Sequence, residues 1–363
     1  MASARPMDKV FNGSLLTLAR QVRRKGQAEL VAVLDGSITQ GTLSKLEHGR
    51  IQPQAELVEK LASALRVRPS FFYRSAYVRE PMVSYHRKRA KLAVKDQDAV
   101  HGLAEIFRLN LKSLLSSVEI EPTLPPLPAI DPDEYGRDVE EIARMLRQRW
   151  QLPKGPIDDL TKIAERAGII IIAFDFGSEL IDGFCQHACD GLPPIVFINS
   201  NQPKDRYRFS LAHEIAHLTC HQTPHPEQEI EANRFASEFL MPSRDIKNDF
   251  EPHSLTKFMD LKLYWGTSMQ SLMYKAWQIG SLSDRMYKYY VIEMSKRGFR
   301  KREPVEASHL IETPSTLRSI IRSHLQDLDY SVDELSELFG LTNEDVAALY
   351  PIPLQKPRLR LVS

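Results

Sequence analysis

The chain of 363 residues is 42% apolar and 26% charged, a globular balance with length for two or three domains. No stretch reaches the roughly 18 consecutive apolar residues of a membrane span. The opening MASARPMDKVFNGS lacks the apolar core of a secretory signal, and three cysteines (Cys185, Cys189, Cys220) are too few for a disulfide framework, so a cytoplasmic protein with no membrane partner is expected. The net charge of +1 hides an asymmetry: residues 1–95 carry 18 basic and 7 acidic side chains, leaving 30 and 40 to the rest. A basic head on an acidic body suits a polyanion, DNA above all.

Residues 11–73 read as short amphipathic helices. Leu15, Leu18, Ala19 and Val22 keep a helical period, as do Leu57, Leu61, Ala64 and Leu65. Polar breaks fall at 24–26, 35–37 and 49–53. The run Gln27-Ala-Glu-Leu-Val31, followed by Thr39-Gln40-Gly-Thr-Leu43-Ser-Lys-Leu46-Glu47-His-Gly49, resembles the helix-turn-helix of XRE/Cro-type repressors. That resemblance implies a DNA-binding head over 1–80, bound to a double-stranded operator. Thr39 would cap the recognition helix, and Gln40, Gly41, Thr42 and Lys45 would face the major groove. Gln27 would open the preceding helix toward a phosphate. Arg50, with Arg20, Arg23 and Arg24, would add phosphate contacts. Two residues depart from the family pattern: the turn 34–38 is longer than usual, and Val31 replaces a small alanine.

Residues 81–132 hold the basic run 82–95, a helix over 97–118 and the stretch EPTLPPLPAIDP. The helix has a wide apolar face, read as a dimerisation surface, with packing onto the domain that follows as the alternative. Five prolines in residues 121–132 predict an extended, semi-rigid linker, exposed enough to be a site of proteolysis.

A second compact unit is expected from residue 133. Helices are predicted over 139–150 and 158–167, a buried strand over 168–174, shorter strands at 180–184 and 195–198, and helices at 204–221 and 226–240. The centre of this unit is His213-Glu214-Ile215-Ala216-His217. Two histidines four apart on a helix share one face and can hold one Zn²⁺. Glu214 beside them can take a proton from the attacking water without ligating the metal. The next helix offers Glu229 as a third ligand, with Asn233 behind it at i,i+4. Glu231 points about 200° away from Glu229 and is read as a solvated surface acid. His221 and His225 continue the i,i+4 series. Cys185 and Cys189 are read as unpaired thiols near a loop, although a Cys185 thiolate could also block an open zinc position.

FSLAHEIAHLTCH followed by EIEANRFASEFLMP resembles the ImmA/IrrE family of metallo-endopeptidases, best over 135–245 and more loosely over 255–305. The resemblance implies a small mixed α/β, gluzincin-like protease domain (133–245). His213, His217 and Glu229 would be zinc ligands, Glu214 the general base and Asn233 the group behind the site. It also implies that strand 195–199 is the edge that pairs with an extended substrate. Mn²⁺ and Fe²⁺ also suit a His₂Glu set. Tyr207, His253 and Tyr264 are candidates for stabilising an oxyanion. Residues 246–363 read as a helical C-terminal region, of which 306–363 could cover the cleft.

The expected fold is therefore α+β and mostly helical: an all-α helix-turn-helix head, a connecting helix, a small mixed α/β protease domain and a helical tail. The expected function is a cytoplasmic, homodimeric DNA-binding regulator with zinc endopeptidase activity. It would cut a repressor-like or antitoxin-like protein, or itself, in a stress or mobile-element response. The alternative is a transcription factor whose protease-like domain is a non-hydrolytic ligand sensor.

Overall fold

The computed structural model describes residues 10–75, 77–78, 93–306 and 312–352, so most of the basic run 82–95 lies outside the described residues. The chain forms two compact units, one made of Met1–Glu119 with Leu317–Ser363 and the other of Ile120–Thr316. The fold is mostly helical with one small mixed sheet, as the sequence pattern predicts.

The first unit opens with α1 (Gly13–Val22), α2 (Gln27–Val33), α3 (Gln40–Glu47) and α4 (Ala55–Leu65), then a 3₁₀ turn, Pro69–Tyr73, and the long α5 (Val94–Leu114). Asn12 caps α1 and Thr39 caps α3, each side chain accepting a backbone N–H of the first turn. Leu15, Leu30, Leu43, Leu46, Leu61, Leu65, Phe71 and Phe72 are fully buried and form the core. Two of the expected phosphate contacts are structural instead. Arg20 pairs with buried Glu47 at 2.6 Å, and Arg23 donates to the carbonyls of Leu65 and Arg66 and pairs with Asp345. A guanidinium with its donors spent on carboxylate and carbonyl oxygens has little left for a phosphate.

The second unit begins with the Pro-rich stretch, which is anchored to its own unit. The N–H groups of Thr123 and Leu124 donate to the Arg166 carbonyl, and that of Ile130 to the Thr219 carbonyl. Leu124, Leu127 and Ile130 pack on the core, and the Trp150 indole donates to the Pro125 carbonyl. The apolar residues between the prolines are the reason: Leu124, Leu127 and Ile130 are half-buried, so the stretch is tied down on one side while Glu121, Pro122, Thr123, Pro126 and Ala129 stay exposed. Then come α6 (Val139–Arg149), α7 (Leu160–Arg166), β1 (Ile170–Phe174), β2 (Gly183–Gln186), β3 (Ile195–Asn199), α8 (Lys204–Cys220), α9 (Gln228–Leu240), α10 (Ser243–Ile246), α11 (Leu255–Trp265), α12 (Met269–Gln278) and α13 (Asp284–Lys296).

The sheet order is β1-β3-β2, with β3 parallel to β1 and antiparallel to β2. This corrects the expectation for 195–199. All five residues of β3 are buried, as a central strand requires, and β2 is an edge strand. The Asn199 N–H donates to the Asp182 carbonyl, and Gly183 lies opposite Ile198. In an alternating antiparallel ladder the backbone groups of Phe184 and Gln186 therefore face β3, and those of Gly183 and Cys185 face outward.

The tail, α14 (Thr316–Gln326), α15 (Val332–Phe339) and α16 (Asn343–Leu349), belongs from Leu317 onward to the first unit. Arg68 pairs with Asp333 and Glu337, and Arg74 donates to Asn110 and to the Phe339 carbonyl. Asn110 in turn donates to the Tyr350 hydroxyl at 2.6 Å. The wide apolar face of α5 is used inside this unit. Ala99, Val100, Ala104, Ile106 and Phe107 are buried, Gly102 lies against Leu18 and Val22 of α1, and the Phe107 ring meets that of Tyr350 at a tilt. That face is largely covered within its own unit.

Candidate metal centre and nucleic-acid interface

Helix α8 has no Gly or Pro and is buried almost throughout from Tyr207 to Cys220, with α9 packed along it. Ala232, Phe235, Ala236 and Phe239 form the packing face of α9, which turns Glu229 toward the two α8 histidines. The Nε2 atoms of His213 and His217 are 3.0 Å apart, and each lies 3.5 Å from a Glu229 carboxylate oxygen. All three ligand atoms lie within 4.8 Å of one another. A metal with bonds of about 2.0–2.1 Å in a tetrahedral array separates its ligands by about 3.3 Å, so this donor set fits a zinc-sized cation. Burial opposes protonation of His213, yet the carboxylates of Glu229 and Glu214 hold its imidazole above the ordinary histidine value. The same field attracts a cation.

Asn233 donates through Nδ2 to the Glu229 carbonyl at 2.7 Å, which leaves its Oδ1 facing His213 Nδ1 at 3.2 Å. His213 then carries its proton on Nδ1 and presents a lone pair at Nε2, the atom that faces Glu229.

Glu214 is 3% exposed and faces β2. A Cβ on Gly183 would come within 3.5 Å of its Cγ, and the Cys185 thiol is hydrogen-bonded to its carboxylate. Burial and the charges of Glu214 and Glu229 push that thiol well above its ordinary range. Cys185 thus lies on strand β2 rather than near a loop. Among the described residues the cluster of possible ligands holds His213, His217 and Glu229 without it. Of the oxyanion candidates, Tyr207 is 5% exposed, and its hydroxyl accepts from Thr161 in the core, out of reach of a substrate.

Glu231 is not a surface acid. It is 2% exposed, bonded to Arg137 Nε at 2.7 Å and to His221 Nε2 at 3.1 Å. Helix α9 is flanked by α6 as well as α8, so the side opposite Glu229 is also covered. Burial, reinforced by His217, holds the His221 imidazole below the ordinary histidine value. The i,i+4 spacing of His217 and His221 was the one sequence signal for this network.

In the first unit, Gln40, Gly41 and Lys45 lie exposed on α3, Thr42 is half-buried beside its Thr39 cap, and Arg50 is exposed just beyond the helix. Gln27 donates to Glu47 at 2.7 Å, and Gln40 donates to Gln27. The structure thus brings the expected reading residues onto one exposed helix with Gln27 beside it. The longer turn is accommodated by Asp35 and Gly36, both at positive φ.

Residues 164–276 match the family model of the IrrE N-terminal-like domain, a metallopeptidase family, and residues 18–72 match a helix-turn-helix model. The chain fuses a helix-turn-helix domain to an IrrE-like domain. No curated protein matches the chain. The IrrE-like match runs from α7 into α12 and so spans the sheet, the HExxH helix and Glu229. The helix-turn-helix domain marks the head as the DNA-binding part of a regulator. No described helix is long and apolar enough to cross a membrane.

Proposed function

We propose that this chain is a cytoplasmic DNA-binding regulator whose IrrE-like domain is a zinc-dependent endopeptidase acting on a separate repressor-like or antitoxin-like protein. The observation that supports this most is the set of three ligand atoms at 3.0–3.5 Å with Glu214 next in sequence to the first histidine. His213, His217 and Glu229 would hold the cation. When bound, it supplies Lewis acidity and lowers the pKa of water. Glu214 accepts the proton of the attacking water and returns it to the departing amine. The outward backbone groups of Gly183 and Cys185 on β2 receive an extended peptide as an added strand. The backbone hydrogen bonds that tie Thr123, Leu124 and Ile130 to their own unit favour another chain over self-cleavage as substrate. In the head, the N-terminal half of α3 enters the major groove.

The test compares wild type, Glu229→Ala and Glu214→Gln for zinc content and for cleavage of a repressor encoded nearby. About one zinc per chain in wild type and Glu214→Gln, lost in Glu229→Ala, with cleavage only in wild type, is expected. Regulation that survives Glu214→Gln would overturn the hydrolytic reading in favour of a ligand sensor.

A further inference from the structure

His217 has two ring nitrogens with different tasks. Nε2 faces His213 Nε2 and Glu229, and Nδ1 lies 2.9 Å from Nδ1 of His221. The other nitrogen of His221, Nε2, lies 3.1 Å from Glu231 Oε2. Glu231 Oε1 accepts from Arg137 Nε at 2.7 Å, and Arg137 also pairs with Asp133 at 2.7 Å and donates to His225 Nδ1 at 2.9 Å. His221 is 8% exposed and Glu231 2%.

We infer that His221 and Glu231 are positioning residues that fix the tautomer of His217 for metal binding. The inference rests on the zinc reading above. Only one proton order satisfies the chain. A His217 that offers a lone pair at Nε2 must carry its proton on Nδ1. That proton goes to His221 Nδ1, which must then be an acceptor. A neutral His221 accepting at Nδ1 carries its proton on Nε2, and Glu231 accepts it. The ionised carboxylate at the end of the chain makes His217 a more basic ligand, as a carboxylate behind a metal-bound histidine does. Arg137 supplies the countercharge that a nearly inaccessible carboxylate needs.

His221 is not a fourth ligand. It meets His217 at Nδ1, on the side of that ring away from Glu229. Nor does the relay duplicate Asn233, which performs the same service for His213 from α9. Each HExxH histidine thus has its own acceptor, a neutral amide for the first and a carboxylate-backed imidazole for the second.

The experiment measures zinc affinity of the full chain by competition with a chromogenic chelator, for wild type, His221→Leu, His221→Gln and Glu231→Ala. The expected result is a loss of about 10–100-fold in His221→Leu and Glu231→Ala. His221→Gln should stay near wild type, because its amide accepts at oxygen and donates at nitrogen in the same order. Long-range ¹H–¹⁵N spectra of zinc-loaded wild type, which need no variant to fold, should place the proton of His217 on Nδ1 and that of His221 on Nε2. Equal zinc affinity in His221→Leu and wild type, or a His221 proton on Nδ1, would overturn the relay and leave the zinc reading intact. A wild type that binds no zinc would overturn both.

Discussion

Gly183 of β2 lies so close to Glu214 of α8 that a Cβ on the glycine would stand 3.5 Å from the Glu214 Cγ. The same Cβ would fall 2.9 Å from both the Phe197 carbonyl and Ile198 Cδ1. The first of these is backbone of the central strand and cannot step aside. Gly183→Ala should therefore push β2 off β3 and cost about 1–3 kcal/mol. On the proposed docking of a peptide to β2, cleavage should fall further than stability does, with zinc content unchanged. Calorimetry, metal analysis and a cleavage assay on one preparation check this. Wild-type cleavage in a folded Gly183→Ala protein would show that the edge is not the docking strand.

Asn233 orients His213 through an amide whose own direction is set by the Glu229 carbonyl. Asn233→Leu removes the acceptor for the His213 Nδ1 proton and should weaken zinc binding about 10-fold or more. Asn233→Asp keeps an acceptor and should stay closer to wild type, although it repels the Glu229 carbonyl. Zinc affinities of the two variants, measured against the same chelator, order them.

Much of this centre was legible because it is local. His213 and His217 are one helical turn apart, and Glu229 and Asn233 are one turn apart on the next helix, so spacing alone puts each pair on a face. What was not legible depends on partners far away in the chain. Glu231 looks solvated on a wheel of α9 alone, and it is buried by partners distant in sequence, Arg137 ahead of α6 and His221 just past α8. The apolar run 195–199 announces a strand but not its neighbours, and pairing on both sides makes it central. The apolar face of α5 is plain in the sequence, yet its cover includes Tyr350, which follows by 240 residues from Asn110.

The head separates an exposed arginine, open to a phosphate, from arginines that hold the fold. Arg50 is exposed beyond α3, whereas Arg20 is spent on Glu47 and the Lys25 carbonyl. Arg50→Ala should weaken operator binding and reduce the slope of log K against log salt by about 1. Arg20→Ala should leave the slope unchanged and lower the melting temperature of the head. Gln40→Ala should cost about 1–3 kcal/mol on the operator and little on random DNA. Salt titrations on both DNAs separate the three.

Glu238 is 1% exposed between Lys275, at 2.5 Å, and Arg144, at 3.0 Å. Burial works to raise its pKa, but Lys275, Ser243 and Arg144 hold it below the ordinary 4.5. A carboxylate whose folded pKa is depressed adds stability above the unfolded value, and that stability is lost as pH falls through the folded value. The wild-type peptidase unit should therefore lose stability below about pH 4.5. Glu238→Gln strands Lys275, so it should cost about 3–5 kcal/mol at pH 7 and show a shallower acid limb. Denaturant melts at stepped pH test this, and parallel acid limbs in the two proteins would remove Glu238 as the cause.

Gly340, between α15 and α16, sits at φ +66°, and a Cβ there would stand 2.6 Å from Phe71 Cα and 2.8 Å from Phe71 Cβ. Both the left-handed conformation and the contact with backbone of the Pro69–Tyr73 turn require glycine. Gly340→Ala should cost about 3 kcal/mol through backbone strain and overpacking together. Because the tail groups with the head, the loss should appear in the melting transition of the first unit and in DNA binding. The zinc content of the second unit should not change. If Gly340→Ala lowered zinc content and spared DNA binding, the tail would be acting on the peptidase unit instead. Two resolved calorimetric transitions, assigned by adding chelator to shift only one, decide between these outcomes.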